Sequence, residues 1–366
     1  MSDHRIIEID GDGEHMLAEH DGKRRRHATS YFRGEHTNFH PRDSSFRLKN
    51  FVATHLVKGL VPPTPFLNLS SEIVALGSCF ASHISNYLFE RGYNVGTKQP
   101  SSAYVTMMSD GIVNTFALLQ QFEWAWEGKH PTQSLWYGYD AKQLGYDENV
   151  RLATKALFDA ADCFIITFGL SEIWYDEPTG EVFWRAIPIK HFDPARHKFR
   201  VAGFSENLTN IERLYHLIRT YNPDARIILT LSPISLQATF RPIPCVVANA
   251  ESKAILRAAL GEFLRNTQDD KLFYFPSYEI VESCFNHPHL NDRVHVHTHV
   301  LDFNMAVFER YFCDGVVTDA DLLARLGHAL EMDRKVSAEG HDAVPTQKAA
   351  TMPLVQEIGL LRKQGK

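Results

Sequence analysis

Long apolar runs are missing from this 366-residue chain. None approaches the ~20 consecutive residues that a membrane-spanning helix requires, so no membrane span is expected. Cysteine is sparse. The five present are widely spaced and contain no CxxC pair, which argues against a disulfide framework and against a zinc knuckle. Positive charge is not in excess either: the formal net charge of −6 leaves no electrostatic footprint for nucleic acid. Met1-Ser2-Asp3-His4-Arg5 leads into charged sequence rather than into the apolar core of a signal peptide. Internal repeats, low-complexity tracts and phosphate-cradling glycine loops are absent. These absences together point to a cytoplasmic protein with reduced thiols. With 44% hydrophobic residues, the chain can bury one large core or two modest ones.

What is present is organised around Ile73-Val74-Ala75-Leu76-Gly77-Ser78-Cys79-Phe80-Ala81. An apolar run ends in Gly-Ser-Cys, and Phe80, Ile84 and Leu88 then recur four apart. The pattern predicts a buried strand, a sharp turn at Gly77, and a helix whose first turn carries Ser78 and Cys79. Such a turn lies at the C-terminal edge of a sheet, where open α/β folds place ligands. It also faces the unsatisfied N–H groups of the helix start, which favour a thiolate or an oxyanion. The plainer reading is a buried cysteine acting as an apolar filler after a turn and an N-cap.

Strand and helix alternate along the rest of the chain. Residues 1–45 are polar and contain Lys23-Arg24-Arg25-Arg26-His27, which reads as a solvated or disordered arm. Asp110 is expected to cap a helix over about 111–126, and another helix spans about 150–161. The run Cys163–Phe168 ends in Gly169, as the first run ends in Gly77. Residues 173–188 read as a hairpin about Asp176–Glu181, with Trp174, Tyr175, Phe183 and Trp184 as a possible stacking surface for a sugar ring or, more simply, a cover for the core. Further helices are expected at about 207–221, 247–266 and 298–312, and further strands at Arg226–Leu231 and Leu272–Phe275. The strands are too uniformly apolar to have a wet face. A mostly parallel sheet covered on both sides follows: a flavodoxin-like three-layer α/β/α sandwich. This domain is placed at 46–315, with 316–366 as a helical extension and tail.

Polar residues collect at the strand ends: Ser78 and Cys79, Ser171 and Glu172, Ser232, and Ser277 with Tyr278 and Glu279. Asp292-Arg293-Val294-His295 follows the last strand. An Asp three residues before a His can hold the imidazole in one tautomer and leave its other nitrogen to take a proton from a nucleophile. His295, His297 and His299 alternate, and on a strand they would share a face, a rival zinc or iron site that ranks below the Asp292–His295 pair. Thr298, which looks like a helix cap, argues against that strand. Lys253 on its helix could meet a substrate anion, although helix lysines are usually solvated.

Gly77-Ser78-Cys79-Phe80-Ala81 resembles the signature of the GSCFA-domain family. Thr167–Glu172, Ser232-Pro233, Asn249 with Ser252-Lys253, Phe275–Glu279 and Asp292–His295 extend the resemblance from about 38 to about 313. That family looks like a distant branch of the SGNH (GDSL-like) hydrolases, so the resemblance implies an SGNH-like sandwich. It also implies an esterase or O-acyltransferase that forms a covalent acyl-enzyme on an acylated carbohydrate or small metabolite, as in glycan biosynthesis. His295 would be the base and Asp292 its orienter. Ungapped register puts Cys79 at the nucleophile position, with Ser78 as the competitor. For the oxyanion and substrate, the candidates are Gly77, Gly169, Ser171 (in place of the usual asparagine), Glu172, Asn114 and Glu279. No cofactor is required, although acyl-CoA would serve as donor in a transferase. The alternatives are a non-catalytic carbohydrate-binding protein with a degenerate site and a His-liganded metal-dependent hydrolase.

Overall fold

The computed structural model describes residues 4–9, 15–20, 22–28, 36–108, 111–315 and 317–341. Backbone contacts divide the chain into residues 1–46 and 47–366. In the first unit, β1 (His4–Ile9), β2 (His15–His20) and β3 (Lys23–Ala28) form an antiparallel sheet in that order. The basic run expected in a solvated arm is therefore a strand. Register explains how it is tolerated: Arg24 lies opposite Glu19, with Nε 3.2 Å from the carboxylate. Cross-strand pairs of opposite charge support a sheet. Gly22, at φ +71°, supplies the left-handed residue in the turn that leads into β3.

The second unit begins with β4 (Ile73–Gly77), α1 (Cys79–Phe89), α2 (Tyr104–Met107), α3 (Thr115–Glu127) and α4 (Glu148–Asp159). It continues with β5 (Cys163–Phe168), β6 (Glu172–Asp176), β7 (His197–Val201), α5 (Phe204–Tyr221) and β8 (Arg226–Leu231). α6 (Cys245–Asn266), β9 (Leu272–Tyr274), α7 (Ser277–Cys284), α8 (Thr298–Phe312) and α9 (Asp319–Glu339) complete it. The main sheet is parallel throughout, in the order β4-β5-β8-β9. One set of alternating side chains, Val74, Leu76, Phe164, Ile166, Ile227 and Leu229, joins an apolar core with residues of α3, α4, α5 and α6. The other set, including Ile73, Ala75, Ile165 and Ile228, is equally buried, on the face where α1 meets β4 and β5 and α7 meets β8. Both faces are covered, which is why these strands are apolar without alternation. The fold is the expected α/β/α sandwich.

Local detail adds to these expectations. The cap of α3 is Asn114, whose Oδ1 accepts from the Ala117 amide at 2.8 Å; Asp110 lies outside the described residues. The hairpin about 176–181 forms, with Asp176 N donating to the Glu181 carbonyl at 2.9 Å, Phe183 N to the Trp174 carbonyl at 3.0 Å and Tyr175 bridging Val182 antiparallel; β6 also pairs antiparallel with β7, from Glu172↔Val201 to Asp176↔His197. Arg196 closes that ribbon with two bonds to the Asp176 carboxylate, both at 2.8 Å. Between these strands the chain turns inward, so Phe183 and Trp184 are buried and Trp184 stacks on Trp136 at 4.3 Å. They cover the core, and the four aromatics do not form an open platform for a sugar. Finally, α9 packs on α8 through a buried stripe that includes Leu322, Leu326, Ala329 and Val336, so this helix belongs to the same compact unit as the sheet.

Candidate functional site

Because all four strands of the main sheet run in parallel, their C-terminal ends reach one edge. At the end of β4, Gly77 has φ +131°, and a Cβ built there would lie 2.1 Å from the Thr167 carbonyl oxygen. Only glycine fits. The chain turns there directly into α1. Ser78 is the N-cap: its Oγ accepts from the Phe80 amide at 3.3 Å and lies 2.9 Å from Thr167 Oγ1. Its own amide donates to Thr167 Oγ1 at 2.7 Å and to the Thr167 carbonyl at 3.1 Å. Ser78 is buried and its hydroxyl is committed to the turn, whereas Cys79, the first residue of α1, is half-buried. Of the two competitors, the thiol is the more open.

Several other candidates carry structural duties. Asn114 is buried as a helix cap, and its Nδ2 reaches the Trp184 carbonyl at 3.3 Å. Gly169 donates its amide to the Val113 carbonyl at 3.0 Å. A Cβ on it would lie 2.9 Å from that oxygen and 3.1 Å from Ser78 Cβ, so its smallness serves close packing. In the first turn of α1, Phe80 N is held by Ser78 Oγ and Ala81 N by the Ser78 carbonyl, which removes both from an oxyanion role. Glu172 is buried and accepts from Arg241 Nε and Thr239 Oγ1, both at 2.9 Å. Glu279 accepts from the Tyr274 hydroxyl at 2.9 Å and from Arg257 Nε at 2.5 Å. Ser171 differs: its hydroxyl is fully buried without a hydrogen-bond partner, while its amide donates to Ser252 Oγ at 2.8 Å.

The triad Asn249, Ser252 and Lys253 clamps the edge from α6. Asn249 Oδ1 accepts from the Leu236 amide at 2.9 Å, and Ser252 holds Ser171. Lys253 is 2% exposed, contrary to the expectation of a solvated helix lysine. Its Nζ donates to the carbonyls of Gly169, Ser232 and Ile234 at 2.8, 2.7 and 2.7 Å. Burial lowers its pKa to about 7, with Glu282 and Cys79 opposing. Three carbonyls match the three protons of an ammonium, whereas a neutral amine would turn its lone pair on one of them; the charged form fits the geometry. Glu282 on α7 is pushed upward in pKa by burial, against the pull of His289 and Lys253. His289 Nε2 stands 3.5 Å from the Glu282 carboxylate.

The loop between α7 and α8 brings the acid and the base. Asp292 Oδ1 accepts the amides of Val294 and His295 at 2.9 and 3.0 Å, while Oδ2 lies 2.6 Å from His295 Nδ1. Burial raises the Asp292 pKa, but its bonds to the His295 ring and the two amides outweigh that and hold it below the ordinary carboxylate range. Arg293 adopts φ +61°, a left-handed conformation that costs a β-carbon residue ~1–2 kcal/mol and lets the loop fold back on Asp292. Ser235 N meets the Val294 carbonyl at 3.4 Å. This places His295 next in chain to a residue that touches the loop held by Lys253. The Asp292–His295 loop is thus joined to the segment that follows β8.

The histidine alternation does not continue. His297 is the N-cap of α8 and Thr298 its first residue, so no strand carries His295, His297 and His299 along one face. The His297 and His299 rings stack at 5.1 Å, and His297 Nε2 lies 3.2 Å from His341 Nδ1. Among the described residues, no group of three His, Cys, Asp or Glu side chains is arranged to hold a metal ion, and no helix is long and apolar enough to cross a membrane.

Sequence reasoning missed Glu282 and the burial of Lys253. Glu282 carried no pattern that would mark it. Lys253 did: it stands three residues before Leu256 and seven before Leu260, on the stripe of α6 that is buried.

A strand, a glycine turn and a helix-borne cysteine stand at the start of the main sheet, and an Asp-x-x-His loop joins α7 to α8. The profile of the GSCFA family matches residues 72–308, and the chain belongs to that family. No curated protein matches it in sequence.

Proposed function

We propose that this chain is an acyl-transfer enzyme of SGNH type: a cytoplasmic acyl-ester hydrolase or O-acyltransferase acting on an acylated carbohydrate or small metabolite. The observation that carries this reading is the 2.6 Å contact between His295 Nδ1 and Asp292; Cys79, the nucleophile of the proposal, is half-buried at the start of α1. With Nδ1 held by the carboxylate, Nε2 is the ring position left for proton transfer.

In the proposed reaction, His295 Nε2 takes the Cys79 thiol proton as sulfur bonds to the acyl carbonyl carbon. The ester C–O bond then breaks, and the leaving alkoxide receives that proton from the imidazolium. Water or a sugar hydroxyl next gives a proton to His295 and attacks the thioester, which restores the thiol. In a transferase, an acyl-CoA thioester would replace the ester as donor. The N-terminus of α1 favours negative charge at Cys79.

Hydrolysis of para-nitrophenyl acetate by wild type, Cys79→Ala, His295→Ala and Asp292→Asn tests this. Loss of the thiol is expected to abolish turnover, and loss of the base to lower it by roughly 10²–10⁴-fold. Asp292→Asn is expected to depress the rate without altering the fold. Equal rates in all four proteins would overturn the proposal.

A further inference from the structure

We propose that Asp333 and His341 are positioning residues for the Asp292–His295 pair: from α9 and just beyond it they clasp both ends of the loop that carries the pair, a role that rests on the acyl-transfer reading for its purpose. The loop is a small hairpin. His297 N donates to the Pro288 carbonyl at 2.8 Å, Leu290 N donates to the His295 carbonyl at 2.7 Å, and His289 bridges Val296 antiparallel. Asp292 and His295 stand near its tip, so their placement follows from how its base is held.

That base is held at two points. Where the chain enters the loop, Asp333 Oδ2 accepts from the Asn286 amide at 3.0 Å and Oδ1 from the His287 amide at 2.7 Å. Where the chain leaves it, His341 Nδ1 lies 3.2 Å from His297 Nε2, with the two rings stacked 11° from parallel. His297 is the N-cap of α8 and fully buried, and Asp333 is 2% exposed.

A carboxylate is costly to bury unless its oxygens are hydrogen-bonded. Here each oxygen takes one of two consecutive amides, in charge-assisted bonds of the stronger kind. Cohesion between α9 and α8 does not need them, because Leu322, Leu326, Ala329 and Val336 already bury the apolar stripe of α9. What the acid adds is a fixed register between α9 and the loop. The neutral isostere would not serve: asparagine offers one acceptor oxygen and would turn its NH2 on the second amide. α9 also lies beyond residue 308, where the family match ends. The clasp thus ties an element outside the matched stretch to the loop inside it that carries the proposed base.

The test compares the whole chain in wild type, Asp333→Asn, His341→Ala and Leu118→Ala, the last a core truncation in α3 on the opposite face of the sheet. Two readouts report on the loop itself. One is hydrogen exchange of the Val294 and His295 amides, both held by Asp292 Oδ1; the other is the proton resonance of His295 Nδ1, held by Oδ2 at 2.6 Å. Losing a bond to a charged group multiplies a local opening equilibrium by roughly ten- to hundredfold. Asp333→Asn is therefore expected to speed exchange of the two amides by roughly tenfold or more and to broaden the Nδ1 signal, with His341→Ala acting in the same direction. Leu118→Ala is expected to lower the melting temperature and move neither readout. Toward para-nitrophenyl acetate, a displaced base should lower kcat in Asp333→Asn by roughly ten- to hundredfold at little change in KM. Should Asp333→Asn not fold, His341→Ala, which removes a single contact from a half-buried ring, decides alone. Loop exchange and an Nδ1 signal that stay in place in the folded variants, or that Leu118→Ala moves equally, would overturn the inference. A wild type without esterase activity whose loop still loosens in Asp333→Asn would sink the proposed function alone. An active enzyme whose loop and kcat ignore both substitutions would sink this inference alone.

Discussion

Replacing Ser78 by alanine separates the two nucleophile assignments through stability as well as activity. Ser78 Oγ makes two contacts, 3.3 Å to the Phe80 amide and 2.9 Å to Thr167 Oγ1. Loss of a serine N-cap costs ~0.5–2 kcal/mol, and the long 3.3 Å bond argues for a value of about 1. Loss of the hydroxyl pair adds about 1 kcal/mol. The penalty stops there because Thr167 Oγ1 is not stranded: the backbone amide of residue 78 donates to it at 2.7 Å whatever the side chain. Ser78→Ala should therefore be about 2 kcal/mol less stable, seen as a lower urea midpoint at unchanged slope, yet still turn over an activated ester. Cys79→Ala should show the opposite, with stability close to wild type and no turnover. A Ser78→Ala protein of wild-type stability that has lost activity, beside an active Cys79→Ala protein, would refute both the capping role and the choice of nucleophile.

Gly77→Ala is expected to yield no folded protein or one destabilised by more than roughly 4 kcal/mol, since its Cβ would lie 2.1 Å from a backbone oxygen in a sheet that cannot part; a wild-type melting curve would contradict this. Acid should act on His299, whose pKa burial lowers from 6.5 to about 4, with His297 adding to the effect. The unfolded chain takes up this proton near pH 6.5 and the folded chain only near pH 4, so this contribution is fully present above pH 6.5 and is lost as pH falls toward 4. Urea midpoints at pH 7 and pH 4.5 should differ less in His299→Leu than in wild type, and an equal loss in both would remove His299 as the cause.

Where local pattern and burial coincide, the sequence was easily read. Arg226–Leu231 and Thr298–Phe312 have the same limits in the structure as in the pattern, because each apolar period is bounded by a helix start or a turn residue. The second partner of β6 was not legible: the hairpin that proximity along the chain favours is present at Tyr175 and Val182, whereas β7 returns only at His197, beside Arg196 on Asp176. Asn114 and Ser171 looked like substrate contacts because polar residues beside strand ends invite that reading. In the structure, tertiary hydrogen bonding assigns Asn114 to a cap and the Ser171 amide to Ser252. Lys253 shows the same limit more sharply. Its identity suggested solvent and its position on the α6 stripe suggested burial, and burial prevailed because three carbonyls converge on it.

The register of the sheet sets the relative placement of the starts of α1 and α7. Gly77, Thr167 and Thr230 are lateral partners on β4, β5 and β8. Thr167 Oγ1 anchors Ser78, the residue before α1, and Thr230 Oγ1 lies 2.8 Å from Ser277 Oγ, the first residue of α7. Each threonine is the penultimate residue of its strand, so both helices start from one row across the sheet. Cys79 lies on one of these helices and Glu282 on the other. A one-residue slip of β5 against β4 would turn the Thr167 hydroxyl to the opposite face and release the cap of α1. The apolar strands, buried on both faces, make such a slip costly. The turn that carries Cys79 therefore draws its geometry from the buried strands of the sheet, whereas the Asp292–His295 loop is held by its own local hydrogen bonds.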